Sequence, residues 1–92
     1  MNYHYPLDDA WSKQEVIDVV HFFSLVEQAY EKQVKRDDFL AAYQKFKQVV
    51  PAKSEEKTYF REFEQASGYA SFPVVKNAKN SDQKIIKMPP VN

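Results

Sequence analysis

Residues 12–32 read SKQEVIDVVHFFSLVEQAYEK, and this stretch decides the fold. Ser12 followed by Glu15 has the spacing of a capping box. The Ser12 hydroxyl can accept from the Glu15 backbone N–H while the Glu15 carboxylate reaches back to the cap. Trp11 before the cap and Val16 at the fourth helical position are placed to close a hydrophobic staple. Val16, Val19, Val20, Phe23, Val26 and Tyr30 then recur at helical spacing, and Phe22, Leu25 and Ala29 widen the stripe. Asp18, His21, Ser24, Glu27, Gln28 and Glu31 keep to the other side. The apolar arc exceeds half the circumference, more than a simple surface helix needs. The stretch therefore predicts a central helix packed by several others.

Outward from this helix the punctuation is clear. Toward the N-terminus, MNYHYPLDD alternates aromatic and polar residues and holds Tyr5 extended ahead of Pro6, so residues 1–10 predict an extended arm with Tyr3, Tyr5 and Leu7 laid over the core. Toward the C-terminus, Phe39, Ala42, Tyr43, Phe46, Val49 and Val50 predict a second helix over 37–50, with Asp37 as cap and Pro51 as stop. A third helix is expected over 54–67, capped by Ser54 and closed by Gly68, with Tyr69 folding back on Phe63 in a Schellman motif. A short fourth over 71–79 has Ser71 as cap, Pro73 in its first turn, and Phe72, Val75 and Ala78 facing inward. Residues 81–92, SDQKIIKMPPVN, sustain no period and contain Pro89-Pro90, so they predict a flexible tail. The expected architecture is all-α, a small irregular helical bundle of three main helices plus a short fourth, in one domain over residues 1–80.

Ninety-two residues suffice for one domain, and fourteen aromatic side chains give it bulk to bury. With no cysteine, the chain can hold neither a disulfide nor a thiolate metal site. There is no basic-then-apolar leader and no apolar run of membrane-spanning length, so the expected compartment is the cytoplasm. Formal net charge is zero but unevenly laid out: acidic in 1–32, basic in 33–53, acidic in 54–70 and basic in 71–92. That balance lacks the overall basic footprint of a nucleic-acid binder.

Several separated pieces coincide with one family: YHYPLDDAW, VVHFF, FLAAYQKFKQVVPAKSEEK and FREFEQASGYASF. Over Met1 to Lys79 the chain resembles uncharacterised protein family 0223, small proteins chiefly of Gram-positive bacteria. The resemblance implies an all-helical irregular array and no particular activity. Gln33 stands where the family often has glycine, and the segment after Asn80 departs from its pattern.

Candidate chemistry is sparse. Asp18 and His21 lie one turn apart, with His4, Asp8 and Asp9 elsewhere, which falls short of the ligand set of a bundle metal site. A single glycine and no cysteine leave no phosphate loop or nucleophile elbow to build. Glu55, Glu56, Glu62 and Glu64 read as a charged helix surface before they read as acid and base. The expectation is a protein without catalytic, metal or cofactor site. By elimination the leading reading is a protein-interaction or regulatory module. Its basic elbow of Lys45, Lys47, Lys53, Lys57 and Arg61 around Pro51 would meet an acidic protein partner. The alternative is a nucleic-acid-binding helix-turn-helix formed by helices 54–67 and 71–79. It would present Lys76, Asn77, Lys79 and Asn80, although Pro73 sits in the turn that would enter the groove.

Overall fold

In the computed structural model, which describes residues 5–89, the elements run α1 (Lys13–Glu31), β1 (Val34–Lys35), α2 (Arg36–Val49), α3 (Lys53–Ser67), α4 (Ser71–Asn80) and β2 (Ile85–Ile86). Four helices and one very small sheet make a mostly helical globule, as the periodicities predict. α1 starts as its cap residues dictate. The Glu15 N–H donates to Ser12 Oγ at 3.2 Å and the Ser12 N–H to Glu15 Oε1 at 2.8 Å. Trp11, just outside the cap, stacks obliquely on Tyr59 of α3 with ring centroids 5.2 Å apart.

α1 buries Val19, Phe22, Phe23, Leu25, Val26 and Ala29, and its largest interface is with α2. The core is aromatic. Phe22 lies 5.4 Å from Phe39, 4.7 Å from Phe46 and 5.8 Å from Phe60, centroid to centroid. Phe23 stacks on Phe63 at 4.5 Å. Such offset and edge contacts suit the ring quadrupole. They also let large side chains, more than close backbone approach, join α3 to α1. Tyr5 of the arm stacks on both Phe23 and Phe63, as expected of it. Leu7, by contrast, is 48% exposed, so it does not cap the core. Tyr3 and His4 lie outside the described residues.

Three helix starts differ from the expected caps. α2, α3 and α4 have Lys35, Ala52 and Ala70 as N-caps, and none of these makes a side-chain capping bond. Asp37, Ser54 and Ser71 fall inside the first turn instead. Chain geometry overrides local preference at α2, where β1 leads straight into the helix and the Arg36 N–H donates to Lys84 O at 2.8 Å. Acidic residues still occupy the first turns of α2 and α3, where the helix dipole favours them. The stops follow the sequence more closely. Val50 before Pro51 leaves the helical region at φ −125° and ψ 75°, and Gly68 closes α3 at φ +84°, a left-handed conformation that glycine adopts without a Cβ penalty. Beyond Gly68 the expected Schellman pairing is replaced. The Tyr69 N–H goes to Ser67 Oγ at 3.1 Å, and the Tyr69 ring stacks on Tyr30 at 5.1 Å.

Residues 81–89 correct the expectation of a loose tail over 81–92, whose last three residues lie outside the described ones. Val34 and Lys35 pair antiparallel with Ile86 and Ile85, Ile86 is 1% exposed, and the Met88 N–H donates to Ala29 O at 2.7 Å. Two consecutive isoleucines carry no helical period. What holds them is an edge, supplied by β1, that lies far away in sequence. Residues 81–89 therefore belong to the folded body.

Candidate functional site

A groove of about 530 Å³ runs between α3 and the start of α4, within the size range of ligand and peptide pockets. α3 supplies one face. Lys53, Lys57 and Arg61 follow one another at i, i+4 and i+8, so they line up along the helix, with Glu56, Phe60 and Glu64 beside them. Gly68 then reverses the chain, and Ala70, Ser71, Phe72 and Pro73 form the opposite wall.

That wall is unlike the expected α4. The buried stripe is Ser71, Val74, Val75 and Ala78, spaced i, i+3, i+4 and i+7. Phe72 sits about 100° away from it and is 63% exposed, the most exposed large hydrophobic residue described. Its bulk suggests an inward position, but only serine and valine fit the space left by the aromatic core. Ser71 is 1% exposed, and its hydroxyl has no hydrogen-bond partner among the described residues. No acidic residue lies in the first turn of α4, and its cap, Ala70, cannot accept a hydrogen bond through its side chain. Pro73 is tolerated because an N–H at that position has no intrahelical acceptor to lose.

The five residues of the expected basic elbow do not form one patch. Lys53, Lys57 and Arg61 line the groove and form no ion pair among the described residues. Lys47 is engaged: its ammonium donates to Glu56 Oε1 at 3.0 Å and to Pro51 O at 3.2 Å. Lys45 lies on a separate shallow depression between α1 and α2, with His21, Leu25 and Asp38. Of the four residues of the helix-turn-helix reading, Lys76, Asn77 and Asn80 border a shallow depression with Pro73 and Ser81. The Lys79 ammonium turns the other way and lies 5.1 Å from the centre of the Tyr43 ring. Among the described residues no cluster of three or more His, Asp or Glu could hold a metal ion. Glu55 and Glu62 border a third depression beside Tyr59. Phe72, expected to face inward, and Ser71, expected as the cap, are the two residues of α4 that the structure places otherwise. The signal that identifies them is the 71/74/75/78 stripe, which leaves Phe72 outside it.

Three tyrosine–carboxylate bonds tie segments distant in sequence, and one of them holds Glu56 of the groove. Tyr43 Oη donates to Glu56 Oε2 at 2.6 Å, Tyr69 Oη donates to Glu31 Oε2 at 2.6 Å, and Tyr5 Oη donates to Glu27. The hydrogen bond to Glu31, then burial, pushes the Tyr69 phenol up to about 12. Burial, then the neighbouring carboxylate, raises Tyr5 and Tyr43 as well.

The fold and groove define a class: a small helical protein with an apolar groove under a basic rim. Comparison places the chain within a family. Residues 2–87 match the uncharacterised protein family UPF0223, and the chain belongs to it. The UPF0223 protein of Oceanobacillus iheyensis is 57% identical over 88 residues, covering 96% of this chain and all of its own length. That of Lysinibacillus sphaericus is 54% identical over 91 residues, covering 98% and 96%. The UPF0223 protein YktA of Bacillus subtilis is 47% identical over 88 residues, covering 96% and 100%. The match runs on to Lys87, so the segment after Asn80 follows the family through β2 instead of departing from it. No helix among the described residues is long and apolar enough to cross a membrane.

Proposed function

We propose that this protein is a cytoplasmic, non-catalytic interaction or regulatory module that docks an acidic protein partner in the groove between α3 and α4. One observation carries the reading: Phe72, 63% exposed, stands at the edge of an apolar groove rimmed by Lys53, Lys57 and Arg61, which form no ion pair among the described residues. Exposed aromatic rings beside unpaired basic residues are the composition of binding hot spots.

The test compares partners captured from the cytoplasm of a producing Bacillus strain by the parent protein and by a Lys57→Glu/Arg61→Glu variant. Both residues are exposed, so the variant keeps the fold. The reading expects a specific acidic protein, identified by mass spectrometry and confirmed with purified components, to be lost on charge reversal. Retention of the same partner by the variant overturns it. Tight, salt-steep binding of a DNA duplex, lost in Lys76→Ala/Lys79→Ala, would put the nucleic-acid reading in its place.

A further inference from the structure

A second depression, of about 510 Å³, lies between α2 and the end of α4 and shares no lining residue with the groove. Leu40, Tyr43, Gln44, Lys47 and Gln48 line it from α2 and Lys79 from α4, and no carboxylate is among them. The α2 residues recur at i, i+3, i+4, i+7 and i+8, so they share one face of the helix. Phe39, Ala42 and Phe46 turn into the core beside that face.

Both ammoniums of the depression are held in place. Lys47 donates to Glu56 Oε1 at 3.0 Å and to Pro51 O at 3.2 Å, which leaves the third of its N–H donors unused. The Lys79 ammonium rests 5.1 Å from the centre of the Tyr43 ring and has no carboxylate partner among the described residues. A ring face attracts a cation without satisfying its N–H groups as an oxygen would. The Gln44 and Gln48 carboxamides, both exposed, add further N–H donors one turn apart. Glu56 opposes an anion here only from behind Lys47. It lies outside the lining, and its two oxygens are already taken by Tyr43 and Lys47.

We infer that this depression binds the phosphoryl group of a small phosphate monoester. The phosphoryl oxygens accept from the Lys79 ammonium, from the remaining Lys47 N–H and from the two carboxamides, and the carbon skeleton of the ester lies on Leu40. Lysine binds phosphate as a point charge, and ammoniums already anchored on Tyr43 and Glu56 lose less freedom on binding. A carboxylate would leave part of this donor set unused, whereas a phosphoryl group brings three acceptor oxygens and close to two negative charges. A nucleic-acid strand fits less well, because Lys76, Asn77 and Asn80 border a different depression from Lys79 and the four do not form one track. The inference stands apart from the groove reading and does not depend on it.

The experiment uses the full chain labelled with nitrogen-15. The probes are glycerol 3-phosphate and inorganic phosphate, with sodium chloride at matched ionic strength as control and a DNA oligonucleotide as competitor. Glycerol 3-phosphate is expected to shift the Gln44, Gln48 and Lys79 resonances to saturation, and chloride to leave them in place. Lys79→Met removes an exposed ammonium and is expected to weaken binding about tenfold, the loss of a hydrogen bond between charged groups. Gln44→Glu/Gln48→Glu changes two exposed residues, brings carboxylates into the depression and is expected to abolish binding. Shifts that fail to saturate, or that chloride reproduces, mean an adventitious ion only and overturn the site. So does a Lys79→Met or Gln44→Glu/Gln48→Glu variant that binds as before. Displacement by the oligonucleotide, with shifts spreading to Lys76, Asn77 and Asn80, would assign the surface to a phosphodiester backbone and overturn the small ester.

Discussion

Tyr43 and Glu56 join the second helix to the third: the phenol donates to Oε2 at 2.6 Å while Oε1 takes the Lys47 ammonium at 3.0 Å. Glu56 thus serves two donors from α2 and keeps a half-buried carboxylate satisfied. Its removal takes the acceptor from the Tyr43 phenol and leaves the Lys47 ammonium with Pro51 O. Glu56→Ala is therefore expected to cost about 1–3 kcal/mol in urea unfolding. Glu56→Gln keeps an acceptor for Tyr43 and loses only the ion pair, so its expected cost is about 1 kcal/mol or less. Equal effects of the two substitutions would show that the phenol contributes nothing.

The raised phenols set an alkaline limit. Tyr5, Tyr30, Tyr43, Tyr59 and Tyr69 all have folded values above the ordinary 10.0. Above pH 10 the unfolded chain loses these protons first, so the native state binds more protons and stability falls as pH rises. Below pH 10 both states are protonated and the contribution is fully present. Denaturation midpoints are expected to hold through pH 9 and to decline progressively from about pH 10 through 12, where Tyr69 titrates. Tyr69→Phe removes one of these groups, so its midpoint should decline less steeply. An unchanged slope would deny the Tyr69–Glu31 bond its part.

Much of the fold was legible because it is written locally. The Ser12–Glu15 box, the α1 stripe and the Gly68 stop each depend on neighbours within a turn or two. What escaped depends on distant partners. Ile85 and Ile86 have no period of their own and become a strand only against Val34 and Lys35. Phe72 reads as core by its chemistry, yet the aromatic rings of α1, α2 and α3 already fill the interior and leave α4 room for Ser71 and Val74. The groove was half legible. The i, i+4, i+8 spacing of Lys53, Lys57 and Arg61 follows from the helix alone, whereas the capture of Lys47 by Glu56 requires the packing of α2 on α3.

The C-terminal strand provides a direct comparison within two adjacent residues. Ile86 is 1% exposed and belongs to the core, while Ile85 on the opposite face is 37% exposed. Ile86→Ala is expected to cost about 2–5 kcal/mol, the range for truncating a buried aliphatic side chain. Ile85→Ala should stay within about 1 kcal/mol. Thermal or urea melts of both variants check the strand. Two equal and small losses would mean that residues 81–89 do not contribute to the folded body.

Gly68 isolates backbone strain from packing. Its φ of +84° is a conformation that L side chains rarely adopt, yet a Cβ built there meets no atom within 4 Å. Any loss on substitution therefore measures the left-handed turn alone. Gly68→Ala is expected to cost about 1–2 kcal/mol. Gly68→Asn should cost less, since asparagine enters that region more readily. The turn also fixes how α4 leaves α3 and hence the width of the groove. If Gly68→Ala shortens α3 or shifts α4 instead of bearing the strain, the Ser71 and Phe72 amide resonances will move along with the loss of stability. If the turn holds, stability falls and those resonances stay where they are.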